Sequence, residues 1–315
     1  MRIAVTRARG LLLAVFCVGT AQGADLSLNG DWRVVATEAD TILALHKDGR
    51  QAGLWRAPKL TGGRSVAKGS ALVSGGTLSA NGRIALLNEA APNGASLLRA
   101  YDSLSGKGLF QTRPVSNVLR SFWLNECHYG LLFQQAGEPV LKVFQVNLEA
   151  QKKLGFACQP FRESQKIPRG ESPVAFLTDR NFNHYGFYAN GARENLAWIG
   201  RGGFQGFQGG AKPHFWFFGP EGESSETLFR ARTDTHKIQP VATSVRSVTS
   251  PKEGKGVFIV RQDGALVALE PSAATTYRER VLAAQHVERA WTPASGKWVL
   301  YQSVNGTYGL VAAPF

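Results

Sequence analysis

One short frame recurs along this chain and limits what it can fold into: a polar turn that ends in glycine, followed at once by an apolar run. The fullest copy is the stretch WTPASGKWVLYQSVNGTYGLV from Trp291 to Val311. A turn at Pro293 and Gly296 precedes a strand from Lys297 to Gln302, and a turn at Asn305 and Gly306 leads to another strand from Tyr308. Two short strands separated by such a turn predict an antiparallel hairpin.

Shorter copies of the frame lie upstream, in LSLNGDWRVVA from Leu26, LSANGRIALLN from Leu78 and SPKEGKGVFIV from Ser250. Short apolar strands continue between them, broken by Gly, Asn and Asp, with no convincing helix. Gly254 and Gly296 are 42 residues apart and Gly30 and Gly82 are 52 apart, against about 40 to 45 residues for a four-stranded propeller blade. The predicted fold class is therefore all-β, a β-propeller of seven four-stranded blades, with six blades as the alternative.

Two known repeats share parts of this pattern. The turn and strand of Thr292 to Gln302, with the weaker copies, resemble the TolB-type propeller repeat, in which a Ser-Pro-Asp-Gly turn precedes an apolar strand. The hairpins around Asp48-Gly49-Arg50 and Ser105-Gly106-Lys107 are similar to the quinoprotein-type repeat. The usual aspartate is missing from every turn, and proline is kept only at Pro251 and Pro293. The resemblance implies the architecture and assigns no functional residue.

The N-terminus has the three parts of a bacterial secretory signal peptide. Arg2, Arg7 and Arg9 precede an apolar run from Leu11 to Val18 and the small residues that end at Gly23. This order predicts export to the periplasm or medium, with a signal peptide at 1–23 and a single propeller domain at 24–315. No later apolar run is long enough to span a bilayer, so we expect no transmembrane segment in the mature protein.

The mature chain is basic. The formal net charge falls from +13 to +10 when the signal peptide, with three arginines and no acidic residue, is removed. An excess of this size favours anionic partners, here a protein or an anionic polysaccharide or lipid surface, although it also serves plain solubility. We do not expect nucleic acid as a partner.

Cys127 and Cys158 remain after processing, in a compartment where paired thiols usually oxidise. This favours a disulfide between them. The strand pattern disagrees, because it places Cys127 in a turn after the first strand of a blade and Cys158 at the far end of an outer strand predicted at Lys153–Ala157. We give the compartment the greater weight and expect the bond.

Few residues carry a signature of chemistry. The histidines are scattered without metal-ligand spacing, and no nucleophile elbow or phosphate-binding loop is present, so we expect neither a metal site nor a cofactor and leave any catalytic residue unknown. Tryptophans are better explained by packing between blades. The Gly-rich stretch from Gly202 to Gly210, which contains Phe204 and Phe207, is predicted to be a loop that covers a ligand or simply connects two strands.

The connections from the outermost strand of one predicted blade to the innermost strand of the next are basic. In a propeller these connections share one face, and the sequence predicts that they form a positive mouth there. The candidate binding residues are Lys59, Arg64, Lys68, Arg113, Arg120, Arg162, Lys166, Arg169, Arg201 and Lys212.

Two functions from different classes fit these features. The first is a non-enzymatic periplasmic propeller that binds a protein partner or an anionic cell-envelope polymer. The alternative is a propeller enzyme, a lyase or hydrolase that acts on anionic glycans. A propeller scaffold hosts both classes, so the fold alone does not decide between them.

Overall fold

The computed structural model describes residues 26–68, 71–91, 93–136, 138–159, 175–178, 183–187, 196–201, 203–208, 214–218, 226–232, 238–251, 256–272, 276–284 and 286–315. The predicted signal peptide lies outside these residues. The chain divides into two compact units, residues 1–162 and residues 163–315. That residues 24–315 form a single domain stays a prediction.

The part of unit 1 that the structure describes forms three antiparallel sheets, each built from strands that are consecutive in the chain. Sheet 1 consists of β1 (Trp32–Glu38), β2 (Thr41–His46), β3 (Gln51–Arg56) and β4 (Arg64–Lys68). Sheet 2 consists of β5 (Val73–Leu78), β6 (Ile84–Ala90), β7 (Ser96–Asp102) and β8 (Gly108–Gln111). Sheet 3 consists of β9 (Val118–Trp123), β10 (His128–Gln135) and β11 (Glu138–Gln145), followed by the helix α1 (Leu148–Leu154).

Sheet 2 packs face to face with sheet 1 and with sheet 3, which explains why its middle strand β6 is apolar over residues 84–87. On β6, Leu87 belongs to a buried cluster with Leu43 and Leu45 of sheet 1. Its neighbour Leu86 belongs to a second cluster with Leu131 of sheet 3. Successive side chains of a strand point to opposite faces, so sheet 2 contributes to a core on each side.

The helix α1 corrects the predicted outer strand at Lys153–Ala157. Asn147 caps the helix by accepting a hydrogen bond from the Ala150 amide through its side chain, and Gly155 ends it in the left-handed conformation with φ of 74°. Asparagine and glycine at these positions, around a run of good helix formers, favour a helix over a strand.

The described residues of unit 2 form four antiparallel sheets with the same sequential order. The first has β12 (Ala175–Thr178), β13 (Asn183–Phe187) and β14 (Leu196–Arg201), and the second β15 (Gly203–Gln208), β16 (His214–Phe218), β17 (Leu228–Arg232) and β18 (Ile238–Ala242). The third has β19 (Val245–Thr249), β20 (Val257–Arg261), β21 (Leu266–Pro271) and β22 (Tyr277–Ala283), and the fourth β23 (Val287–Trp291), β24 (Trp298–Ser303) and β25 (Tyr308–Ala312).

The recurring turn frame is confirmed in the copy that contains Gly82 and in the copy that contains Gly296 and Gly306, whereas Gly254 of the copy from Ser250 lies outside the described residues. Gly296 and Gly306 have φ of 66° and 83° and flank β24, and Gly82 has φ of 66° before β6. Glycine occupies such left-handed turn positions without the steric cost that a side chain brings.

The start of the described chain joins sheet 1. The Leu26 amide donates to Gly63 O at 3.2 Å and the Leu28 amide to Leu60 O at 2.8 Å, so this segment pairs with the β3–β4 loop. The Trp55 indole also donates to Leu26 O at 3.0 Å. Residues 26–28, close after the predicted cleavage site, are therefore part of the packed structure.

Candidate functional site

The basic residues predicted to share one connection after sheet 1 do not share it. Lys59 lies in the β3–β4 loop, whereas Arg64 begins β4 and Lys68 ends it. A single connection over these three residues requires β3 to be the outermost strand of this sheet, but the structure adds β4 beyond it. Because a strand rises about 3.3 Å per residue, Arg64 and Lys68 are roughly 13 Å apart along β4. Their role in binding stays a prediction.

Arg113 and Arg120 both follow sheet 2, but only Arg113 lies in the connection in which both were predicted. Arg113 is exposed in the connection from β8 to β9, the kind of connection predicted to carry the basic residues. Arg120 lies within β9 and pairs with Leu132 of β10. It retains solvent exposure, yet desolvation by the surrounding protein lowers the pKa of its guanidinium.

The remaining predicted binding residues lie between residues 162 and 212. Arg162, Lys166, Arg169 and Lys212 lie outside the described residues. Arg201 ends β14, and Phe204 and Phe207 lie on β15, where the structure describes the backbone alone. The prediction of a loop from Gly202 to Gly210 is therefore wrong over Gly203–Gln208, because these residues form a strand that pairs with β16.

A groove of about 410 Å³ opens between sheet 3 and the connection that leads into it. Its lining residues are Pro114, Val115, Ser116, Leu131, Phe133, Gln134, Gln135, Lys142 and Phe144. Val115 is held in place by two backbone hydrogen bonds with Ser96, each 2.8 Å long. Sheet 3 supplies the opposite wall through β10 and β11, so the groove is built on paired backbone on both sides.

Apolar side chains form most of the groove, and one cation lies among them. Leu131 pairs across the strands with Lys142, and Phe133 with Val140, which places these side chains on one face of sheet 3. The Lys142 ammonium is 5.0 Å from the centre of the Phe133 ring. None of the nine described lining residues carries a carboxylate. The groove therefore combines apolar contact with one positive charge, which suits a ligand that has both an apolar and an anionic group.

Sequence reasoning missed this groove, although a signal for it exists. Val140, Lys142 and Phe144 alternate along β11 and so share one face. A lysine between two apolar residues on the face that packs against the next sheet is out of place for a pure core, because lysine is seldom fully buried without a partner. The alternation of apolar residues around Lys142 was therefore the feature of the sequence from which the groove could have been predicted.

The disulfide is confirmed. Cys127 lies in the β9–β10 turn and Cys158 follows α1, and the two are bonded with their Cα atoms 5.5 Å apart. The buried Gln151 amide group links the same region, because it donates to Val146 O and accepts from the Cys158 amide. The strand prediction was wrong here, because α1 returns the chain to the end of sheet 3 where Cys127 lies.

Comparisons with known proteins identify the architecture. No family model matches the chain, and no curated protein matches it. A chain in the crystal structure of a mitotic checkpoint complex matches with a TM-score of 0.53 and 10% identity, over 98% of this chain and 99% of that one. The chain is a β-propeller. This confirms the fold class and the architecture that the repeat resemblance implied.

Two further solved propellers are similar to this one. The Cps50 (Swd1) β-propeller domain of Myceliophteria thermophila has 12% identity and a TM-score of 0.49 over 93% of this chain and 99% of that one. BamB from Moraxella catarrhalis has 11% identity and a TM-score of 0.45 over 93% of this chain and 85% of that one. The described strands form seven sheets; that each is one blade of a closed ring, and that the repeat is TolB-type, stay predictions.

Within the described residues, the helix α1 is too short to cross a membrane, and no longer apolar helix is present.

Proposed function

We propose that this propeller is exported to the periplasm and binds, without catalysis, a protein partner or an anionic polymer of the cell envelope. The observation that carries the proposal is the groove beside sheet 3, which offers an apolar surface and the Lys142 ammonium with no carboxylate among its described lining residues. Lys142 is half-buried, so water screens an anion that reaches its ammonium less than it screens one at an open surface.

The charge of the whole molecule supports the same class of ligand. A net charge of +13 for the full chain, or +10 after the predicted cleavage, attracts anions over a distance limited by salt. Arg113 is exposed and immediately precedes Pro114, which lines the groove, so it is the cation that we infer to act together with Lys142. The sites in sheet 1, Lys59, Arg64 and Lys68, are the competing location for the same activity.

Charge reversal at the two locations distinguishes them. The experiment measures binding of fluorescent polyglutamate and of lipopolysaccharide to the mature protein at low and at high salt. We expect the double variant Arg113→Glu and Lys142→Glu to weaken binding by about tenfold or more, since loss of a charge-assisted contact has about that effect. We expect a charge-matched control, Lys107→Glu with Arg278→Glu, to bind within about twofold of the parent.

Other results of this experiment would place the site on sheet 1 or contradict the proposed function. If reversal of Lys59, Arg64 and Lys68 abolishes binding and reversal at the groove does not, the site is on sheet 1. If the parent binds neither polyglutamate nor lipopolysaccharide in a salt-sensitive way, the proposed function is wrong. Export is tested separately by the intact mass of the periplasmic protein, which we expect to begin at Ala24.

A further inference from the structure

Sheet 3 differs from the other two sheets of unit 1. Sheets 1 and 2 have four strands each, whereas the described residues of sheet 3 form three, and the chain leaves β11 into α1. Over the part of the chain that the structure describes, β11 is thus an edge strand, and it is eight residues long. A long edge strand presents backbone donors and acceptors that another extended segment can pair with.

The direction of these backbone groups follows from one hydrogen bond. The Val146 amide donates to Cys127 O at 2.8 Å, toward the β9–β10 side, and β11 pairs with β10 without a bulge. Because backbone groups alternate in direction along a strand, those of Leu141, Val143 and Gln145 point away from β10, toward the edge that no described strand covers. Pro139 belongs to the same set, and proline is tolerated in a sheet at an edge position of this kind.

The same alternation decides where the side chains of an added strand would lie. Residues opposite one another on neighbouring strands have their side chains on the same face. An added strand would therefore direct alternate side chains toward the face of Val140, Lys142 and Phe144, which borders the groove. An acidic side chain opposite Lys142, with apolar side chains two residues before and after it, matches the charge and the apolar lining.

We propose that β11 accepts an extended acidic segment of a partner protein as a fourth strand of sheet 3. Backbone pairing with Leu141, Val143 and Gln145 holds the segment, and Lys142 selects a carboxylate within an apolar-x-acid-x-apolar pattern. The inference rests on the proposed function and makes it specific, since it names the partner as a peptide strand. A polysaccharide or a lipid surface has no amide ladder and does not use the open edge.

The probe is a fluorescent capped heptapeptide, Thr-Val-Ser-Glu-Ser-Phe-Thr, titrated with the mature full-length protein and followed by anisotropy. We expect saturable binding that weakens by about tenfold or more when the peptide glutamate becomes glutamine or when the protein carries Lys142→Glu. We expect Lys107→Glu, which changes an exposed lysine in the β7–β8 turn, to leave the affinity within about twofold.

Two changes test the backbone pairing itself. N-methylation of alternate peptide amides removes donors from one edge of the added strand, so one alternate set should abolish binding and the other should leave it nearly unchanged. Val143→Pro removes an outward N–H of β11 in the setting where Pro139 is already accommodated, and it should abolish peptide binding while circular dichroism stays that of the parent. If this variant does not fold, the methylated peptides still decide.

Three results overturn the inference. The first is that the parent does not bind the heptapeptide; the second, that both N-methylated sets bind equally well; the third, cross-linking that shows a segment of the same chain already paired with β11. If any of these occurs while salt-sensitive binding of polyglutamate or lipopolysaccharide persists, the inference fails and the proposed function stands. If no anionic probe binds, both fail.

Discussion

Removal of the bond between Cys127 and Cys158 should destabilise unit 1 by an amount that depends on the closed loop. The two cysteines are 31 residues apart, and the loop contains β10, β11 and α1. In the chain-entropy model, a loop of this length stabilises the folded state by roughly 3.5 to 4 kcal/mol. At about 2 to 4 °C per kcal/mol for a domain of this size class, the melting temperature should fall by roughly 10 °C.

The assay is urea unfolding followed by tryptophan fluorescence, with the exported protein and with the variants Cys127→Ala, Cys158→Ala and their combination. Each single change removes the whole bond, so we expect all three variants to lose about the same free energy of unfolding. Trp123 reports on this region, because it is buried and its ring centre is 5.6 Å from that of Tyr129 in the sheet 3 core.

Dithiothreitol provides the control. It should destabilise the parent and leave the double variant unchanged. Two results would refute the reasoning: single variants whose losses add up in the double variant, which indicates independent thiols, or two cysteines that react with maleimide in the native exported protein.

Three further predictions concern buried polar groups and turns. Gln151→Leu leaves Val146 O and the Cys158 amide without their side-chain partner, so the free energy of unfolding in urea should fall by about 2 kcal/mol; a loss near zero would mean that water replaces the amide. Gly82→Ala introduces a Cβ 2.5 Å from Glu38 O at φ of 66°, so its melting temperature should fall further than that of Gly94→Ala, where φ is 76° but no atom lies within 4 Å; equal losses would contradict the clash. Burial raises the pKa of Tyr101 to about 12, and the nearby Glu89 carboxylate adds to the shift. The folded protein thus holds this proton more tightly than the unfolded chain, so stability should fall as pH rises from about 10 to 12, more steeply for the parent than for Tyr101→Phe; parallel pH profiles would contradict the shift.

The sequence predicts most of this fold because most strands pair with the next strand along the chain. The hairpin of β24 and β25 follows directly from a glycine turn between apolar runs, and the middle strand β6 is apolar on both faces because sheet 1 covers one and sheet 3 the other. The failures have equally local causes. The strand β15 contains glycines that pair through backbone alone, so it lacks the apolar alternation of a strand. The helix α1 is too short for helical periodicity to stand out, and its caps at Asn147 and Gly155 were the available signal.

The candidate groove was harder to predict than the fold. Its walls come from the β8–β9 connection and from two strands of sheet 3, and no sequence motif spans them. The charge of Lys142 is visible in the sequence, but its position beside Phe133 depends on the register of β10 and β11. The position of Arg113 in a connection could be predicted because connections between sheets are recognisable as polar segments after a strand. The strand β4 was not predicted, so Arg64 and Lys68 were assigned to a connection instead of a strand.

The two-sided packing of sheet 2 limits how this protein can be shortened or recombined. Because Leu86 and Leu87 enter different clusters, excision of sheet 2 would expose apolar surface on both neighbouring sheets at once. A fragment that ends between two sheets would likewise expose an apolar sheet face and tend to aggregate. Changes in length within unit 1 are therefore better tolerated as longer turns than as lost strands, and fragments for crystallisation or display should retain all three sheets together.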